Sequence, residues 1–149
     1  MSAFRALLLA CYVLLAMNSC KVEENPIPDY AVYITIDLGT EDKELRAVPS
    51  YKEYTSKNTK PGFESVGFGG VLVVHTTLGD YKAFDRACPY EVNNNITVEV
   101  DDAILYATCP KCGTKYDIAF GTGAPNGVSK HYLKTYRVLQ SGSKLTVRN

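Results

Sequence analysis

The chain has 149 residues, of which 16 are basic and 16 acidic, so its formal net charge at pH 7 is zero. This balance gives no electrostatic reason to expect binding to nucleic acid or to an acidic membrane surface. Tyrosine is the commonest aromatic residue, with 11 copies, and tryptophan is absent. Together with scattered single glycines and prolines, this composition is typical of an all-β domain with many turns.

The N-terminus predicts an export signal. Arg5 precedes an apolar run over residues 6–17, which is too short for a membrane-spanning helix but has the length of a signal-peptide core. Residues 17–20, Met-Asn-Ser-Cys, resemble a bacterial lipobox. The resemblance implies that residues 1–19 are removed and that Cys20 carries lipid, which would anchor an exported protein to the membrane. The alternative is an ordinary secretory signal cleaved nearby.

A linker is expected over residues 20–29. Its Lys-Val-Glu-Glu stretch at residues 21–24 looks like the acidic tag that sends some lipoproteins to the outer face of the outer membrane, or it is simply a solvated segment. Pro26 and Pro28 indicate an extended spacer. The sequence therefore predicts a lipid-anchored protein, periplasmic or surface-facing, whose folded domain covers residues 30–149.

Alternating apolar residues predict the first strand over residues 30–38. A turn follows, and residues 44–48 are predicted as a short second strand, whereas residues 51–62 are polar and remain an unassigned loop. The continuous apolar run over residues 71–74 predicts a buried strand. A Leu-Gly-Asp turn then leads into a return strand over residues 81–84.

The second half of the chain repeats this pattern of short strands and turns. No segment has helical periodicity, so the predicted fold is antiparallel β throughout. The remaining strands are predicted at residues 96–100, 103–107, 116–118, 132–138 and 145–147.

Three cysteines form the most informative motif. Residues 109–113 read Cys-Pro-Lys-Cys-Gly, a tight turn that points two sulfurs at one place, and the glycine lets the backbone curl around a bound ion. Cys88 lies 21 residues before Cys109 and begins a Cys-Pro-Tyr-Glu segment. The spacing indicates a metal site between Cys88, Cys109 and Cys112.

The order of strands, turns and cysteine loops over residues 69–149 resembles a Rieske iron–sulfur domain. That family has Cys-x-His in its first loop and Cys-x-x-His-Gly in its second, and Cys88 and Cys109 match the two cysteines. The resemblance implies an antiparallel β-sandwich with a small rubredoxin- or zinc-ribbon-like subdomain that binds a [2Fe–2S] cluster for electron transfer. It also implies that Thr114 and Tyr116 hydrogen-bond to the cluster sulfurs.

The departures from the family pattern fall on the ligands. Tyr90 stands at the first histidine position and Cys112 at the second. Val92 replaces a glycine of the first loop, and Val128 replaces a proline of the loop that shields the cluster. The two neutral imidazoles that raise the potential of a Rieske centre are therefore missing from the motif.

The chain's two histidines, His75 and His131, both lie outside the motif, and neither is expected to be a ligand. Three thiolates would instead make a cluster more negative. Four-thiolate centres have potentials of about −400 mV, against roughly −150 to +300 mV for Rieske centres. A high-potential Rieske centre is not expected here.

Three interpretations of the cysteines remain open. In the first, Cys88, Cys109 and Cys112 hold a [2Fe–2S] cluster with a fourth ligand from Tyr90, Glu91 or elsewhere. In the second, the same cysteines bind zinc. In the third, no metal is bound and the oxidising compartment favours a Cys88–Cys109 disulfide, which leaves Cys112 as an odd thiol.

No catalytic set accompanies this site. The sequence has no Ser/His/Asp, Cys/His or paired-carboxylate arrangement whose spacing argues for catalysis. The protein is therefore not expected to be an enzyme by itself. Its only predicted partner is the membrane, and no redox partner or substrate is implied.

Overall fold

The computed structural model describes residues 24–60, 62 and 64–149, and this part of the chain is almost entirely β. The predicted all-β, antiparallel fold class is confirmed. The signal peptide and Cys20 lie outside the described residues. The strands are β1 Val32–Asp37, β2 Ser50–Tyr54, β3 Ser65–Val66, β4 Val71–His75, β5 Tyr81–Asp85, β6 Glu99–Val100, β7 Tyr106–Thr108, β8 Lys115–Asp117, β9 Pro125–Asn126, β10 Thr135–Ser141 and β11 Lys144–Arg148.

Seven strands form a nearly closed, barrel-like sheet in the order β2-β4-β5-β10-β11-β1-β3. Strand β4 is buried along its whole length because both of its faces are covered. Val71 and Val73 point into one hydrophobic core, and Leu72 and Val74 point into a second. This double burial explains why the sequence of β4 is a continuous apolar run and not an alternating one.

The first core lies inside the seven-stranded sheet and follows from the alternation in β1. Ile34 and Ile36 are fully buried, and they lie opposite Val147 and Leu145 of β11 in the antiparallel register. Alternate β1 residues face outward, as a strand with one buried face requires. The first strand predicted from the sequence is thus confirmed, although it begins at Val32.

The prediction of a strand over residues 44–48 is wrong. Lys43–Arg46 is a turn of 3-10 helix and not a strand, because Leu45 is its single buried apolar residue and no alternation supports extended pairing. The Tyr81 hydroxyl donates to the Leu45 carbonyl. Part of the unassigned loop is strand β2, which pairs with β4 and buries only its end residues, Ser50 and Tyr54.

Four short strands form a second sheet in the order β6-β7-β8-β9. Its strands are two or three residues long, shorter than predicted at residues 96–100 and 103–107. The second core fills the space between this sheet and β4 and β5, and it includes Leu72, Phe84, Val98, Tyr116, Ile118, Leu133 and the cysteines Cys88 and Cys109. The small sheet therefore carries the cysteine hairpin and is held to the barrel by that core.

Residues 25–29, predicted as a spacer, pack against the domain. Ile27 is only 2% exposed, and the Asn25 side chain donates to the Tyr132 carbonyl over 2.8 Å. The Lys134 ammonium donates to the Ile27 carbonyl over 2.9 Å and pairs with Asp29. The packed part of the chain thus starts before residue 30. Over the residues that the structure describes, no helix has the length and apolar character of a membrane span.

Candidate metal centre

The first cysteine loop leaves strand β5 and turns back immediately. The Cys88 carbonyl accepts hydrogen bonds from the backbone N–H groups of Glu91 and Val92, and the Cys88 N–H donates to the Ile96 carbonyl. Val92 has a φ of 49°, a conformation that β-branched residues rarely adopt. These bonds fix the Cys88 backbone, so its buried sulfur points at the small sheet.

The second cysteine loop is the turn between β7 and β8. The Cys109 N–H donates to the Thr114 carbonyl over 2.9 Å, and the Gly113 N–H donates to the Cys109 carbonyl over 3.0 Å. Gly113 has a φ of 72°, and a side chain there would meet nothing within 4 Å. The glycine is therefore required for backbone conformation and not for space. The turn directs the Cys109 and Cys112 sulfurs to one side.

The three cysteine sulfurs converge. The Sγ atoms of Cys88, Cys109 and Cys112 all lie within 4.8 Å of one another, and those of Cys88 and Cys112 are 3.7 Å apart. Cys88 and Cys109 are buried, Cys112 is partly exposed, and all three are free thiols. The predicted approach of the two cysteine loops is confirmed, and the arrangement is suited to holding a metal ion.

Two buried hydroxyls contact these sulfurs. The Tyr116 hydroxyl lies 3.3 Å from Cys88 Sγ, and the Thr114 hydroxyl lies 3.3 Å from Cys112 Sγ. The Ser129 backbone N–H donates to Thr114 Oγ1 over 3.2 Å, so the hydroxyl's own proton is free to point at the sulfur. Both residues can thus donate to thiolates, as the resemblance implied for Thr114 and Tyr116.

The environment separates the pKa values of the second-loop thiols. Burial raises the pKa of Cys109 to about 11. Burial also opposes ionisation of Cys112, but hydrogen bonds from Thr114, Cys109 and Cys88 together outweigh it and lower the pKa of that thiol. Burial and the neighbouring Cys88 raise the pKa of Tyr116, which keeps it a hydrogen-bond donor. Without a metal, Cys112 therefore forms a thiolate more readily than Cys109.

The two residues considered as a fourth ligand, Tyr90 and Glu91, differ from the three cysteines in their contacts. Tyr90 is 55% exposed, and within the described part of the chain its hydroxyl makes no hydrogen bond to a cysteine sulfur. The Glu91 carboxylate lies 2.5 Å from Lys111 Nζ and so joins the two cysteine loops. The Glu91 carboxylate does not belong to the group of converging ligand atoms that the three cysteines form.

Both histidines are also outside that group. The His75 ring stacks on Tyr81 with centroids 4.2 Å apart, and its Nδ1 lies 3.0 Å from the Ala47 carbonyl. His131 lies within the loop over residues 128–132, and its backbone N–H donates to the Ser129 hydroxyl. The expectation that they are not ligands agrees with these positions.

Sequence reasoning missed the residues that support the site from a third loop. Ser129 holds Thr114, and Gly127 lies so close that a Cβ there would be 2.8 Å from the Thr114 Cα. The Lys111–Glu91 pair was also missed. A glycine before Val128 was the one available signal, because such close backbone approach requires the absence of a side chain.

The chain matches no protein-family model and no curated protein. The likeness to Rieske domains therefore stays a prediction from the motif. What can be said of the site comes from its geometry, which brings three thiols and two hydroxyl donors together at one end of the small sheet.

Proposed function

We propose that this protein is a lipid-anchored metal-binding domain in which Cys88, Cys109 and Cys112 hold one zinc ion as thiolates. The observation that carries the proposal is the convergence of the three sulfurs within 4.8 Å. Lipid attachment at Cys20 and export belong to the same proposal and come from the lipobox-like N-terminus.

The sulfur spacing favours a single ion. Zinc–sulfur bonds are about 2.3 Å long and meet at tetrahedral angles, so two thiolates on one zinc lie about 3.8 Å apart. The Cys88 and Cys112 sulfurs are 3.7 Å apart, close to that value. In a two-iron cluster that follows the Rieske pattern, Cys112 would bind the other iron from Cys88, and the width of the cluster would separate their sulfurs further.

The surrounding groups suit bound thiolates. Three thiolates on a divalent ion leave net negative charge at the centre, and the hydroxyls of Thr114 and Tyr116 are placed to donate to two of them. Zinc is four-coordinate, so water or a donor from outside the described residues completes the site. The protein's contribution is a preformed, largely buried set of three ligands.

Electron transfer through a [2Fe–2S] cluster is the second candidate function. The observation that favours it is the pair of hydroxyls at the sulfurs, in the positions that the Rieske resemblance implied for tuning the potential. With thiolates in place of imidazoles, such a centre would have a low potential. The short Cys88–Cys112 separation ranks it below the single-ion site.

Metal content and colour distinguish these functions. Protein purified without oxygen is assayed for zinc and iron by mass spectrometry, and its visible absorbance and low-temperature EPR spectra are recorded. We expect colourless protein with one zinc per chain. A reddish protein with about two irons per chain would contradict the zinc proposal and support electron transfer.

Variants give the matched control. Cys112→Ser should lose most of its zinc because it removes one of the three ligands, whereas His131→Ala should retain it because that ring is outside the sulfur group. The protein is also alkylated before and after reduction. If it contains no metal and has a Cys88–Cys109 disulfide, both the zinc proposal and the electron-transfer proposal are overturned. That result would instead support a redox-silent structural module.

A further inference from the structure

The packed N-terminal segment fixes where the chain leaves the domain. Asn25 is hydrogen-bonded to the Tyr132 carbonyl, and both residues line one cleft together with Lys130 and His131. The buried Ile27 and the bonds from Lys134 hold the segment in this position. The chain therefore departs toward its N-terminus from the loop over residues 128–132.

The distance from this point to the proposed lipid anchor is short. Cys20 is five residues before Asn25, and five extended residues span at most about 18 Å. Acyl chains on Cys20 would hold Asn25 within that distance of the bilayer surface. Because Asn25 is attached to Tyr132, the same limit brings the loop over residues 128–132 near the membrane.

The exposed side chains of this loop suit a headgroup region. Val128 and Tyr132 are 57% and 55% exposed, and Lys130 between them is also exposed. Tyrosine is enriched at membrane interfaces, and lysine is attracted to anionic headgroups. Ser129 alone turns inward, where its N–H donates to the Thr114 hydroxyl. The loop thus has one side on the metal site and exposed side chains of interfacial type.

We propose that the loop over residues 128–132 is the surface that faces and contacts the lipid bilayer. The cysteine site then lies directly behind that loop, because Ser129 contacts Thr114 and Thr114 contacts Cys112. This inference depends on the lipid anchor of the proposed function but not on which metal is bound. Its occupant is the headgroup layer of the membrane that holds the anchor.

Tryptophan fluorescence tests this orientation, because the chain has no tryptophan of its own. The mature lipidated protein is placed in vesicles of phosphatidylethanolamine and phosphatidylglycerol, with or without bromine on the acyl chains. Tyr132→Trp places a probe in the loop, and Val128→Trp places a second one. Leu139→Trp is the matched control, since Leu139 is 43% exposed and lies in the middle of β10, seven residues and at most about 23 Å along the chain from position 132.

We expect brominated lipid to quench the probes at positions 132 and 128 several-fold more strongly than the probe at position 139. The orientation is overturned, and the anchor left intact, if the protein floats with the vesicles but the three probes are quenched equally. The same conclusion follows if the probe at position 139 is quenched more strongly than the other two, or if no probe is quenched. Protein that does not float overturns the orientation and the anchor together. Zinc content, measured on the same samples, reports on the metal proposal, and the circular-dichroism spectrum of each variant, compared with that of the parent protein, reports whether the variant is folded.

Discussion

Thr114 acts on the site through a single oxygen atom. That atom accepts the Ser129 backbone N–H and, from 3.3 Å away, the neutral Cys112 thiol; when Cys112 is ionised, the hydroxyl proton can turn to the thiolate. A hydrogen bond to the charged form of an acid favours ionisation. This bond lowers the pKa of Cys112 against the effect of burial, together with the hydrogen bonds from the Thr114 backbone and from Cys109 and Cys88.

Thr114→Val should therefore raise the pKa of Cys112 and slow its reaction with iodoacetamide several-fold in reduced, chelated protein at neutral pH. The variant also leaves the buried Ser129 N–H without its acceptor, which should lower the free energy of unfolding by about 1–3 kcal/mol. Alkylation rates are followed for each cysteine by peptide mass spectrometry, and stability is measured by urea unfolding.

Thr114→Ser is the matched control, because it keeps the hydroxyl and removes only a methyl group. It should stay close to the wild-type protein in Cys112 reactivity. In the wild-type protein Cys112 should also react faster than Cys109, which is buried and whose pKa is raised to about 11. Equal Cys112 rates in the valine and serine variants would show that the hydroxyl does not influence the thiol.

The first cysteine loop contains a strained position. Val92 has a φ of 49° while its N–H bonds to the Cys88 carbonyl, so the conformation is held by the turn that presents the cysteine. A non-glycine residue held in such a region costs about 1–3 kcal/mol, and Val92 is exposed and has little packing to lose. By resemblance, this is a position where Rieske domains have glycine.

Val92→Gly should consequently stabilise the protein by up to about 1 kcal/mol, since relief of strain exceeds the greater chain entropy of unfolded glycine. Urea unfolding measures the change. Val128→Gly is the control, because Val128 is also an exposed valine and is not among the residues with positive φ. That variant should be neutral or destabilised by about 0.5–1 kcal/mol. A Val92→Gly variant no more stable than Val128→Gly would contradict the strain argument.

Elements with a strong apolar pattern were predictable from the sequence, and those held by other elements were not. The β1 alternation and the β4 run each bury apolar residues in a period that matches a strand. Strand β2 buries only Ser50 and Tyr54 and exists because β4 offers it a partner. Likewise, β9 is two residues long and forms only because β8 lies beside it.

Some residues of the candidate site were likewise predictable from the sequence, and others were not. Cys88, Cys109 and Cys112 were predictable because metal ligands have characteristic types and spacing. The supports contributed by Ser129 and the Lys111–Glu91 pair were not, since a backbone N–H and a single ion pair between two loops leave no recognisable pattern in a single sequence. Tertiary packing of the third loop decides these contacts.

At the scale of the whole molecule, the site joins two sheets. Cys88 follows β5 of the barrel-like sheet, whereas Cys109 and Cys112 come from the hairpin between β7 and β8 of the small sheet. An ion bound by all three links the sheets and binds the folded state alone. Free metal at a thousand times its dissociation constant would stabilise the fold by about 4 kcal/mol.

Without the ion, the free energy of unfolding should fall as the pH rises above about 9. The pKa of the Cys109 thiol in the folded, metal-free protein is about 11, above its ordinary value of 9.0, because burial disfavours the thiolate. The folded state therefore holds this proton more tightly than the unfolded state does. The resulting stability is fully present below about pH 9 and is lost as the pH rises through about 11. In metal-loaded protein Cys109 is already a bound thiolate, so this loss should be absent.

Urea unfolding of chelated and zinc-loaded protein between pH 7 and pH 11 measures this effect. Burial also raises the pKa values of Tyr54 and Tyr136, so their ionisation lowers the free energy of unfolding at high pH as well. This loss occurs in both the chelated and the zinc-loaded protein. The difference between the two forms therefore isolates the thiols and Tyr116, whose hydroxyl contacts Cys88 Sγ and whose raised pKa depends in part on that cysteine. Chelated Cys109→Ser, which has no thiol to ionise at this position, should lose less stability above pH 9 than the chelated wild-type protein. If the two chelated proteins instead lose the same stability above pH 9, ionisation of the buried Cys109 thiol is not the cause of the loss. Metal binding then does not act by removing the proton of Cys109.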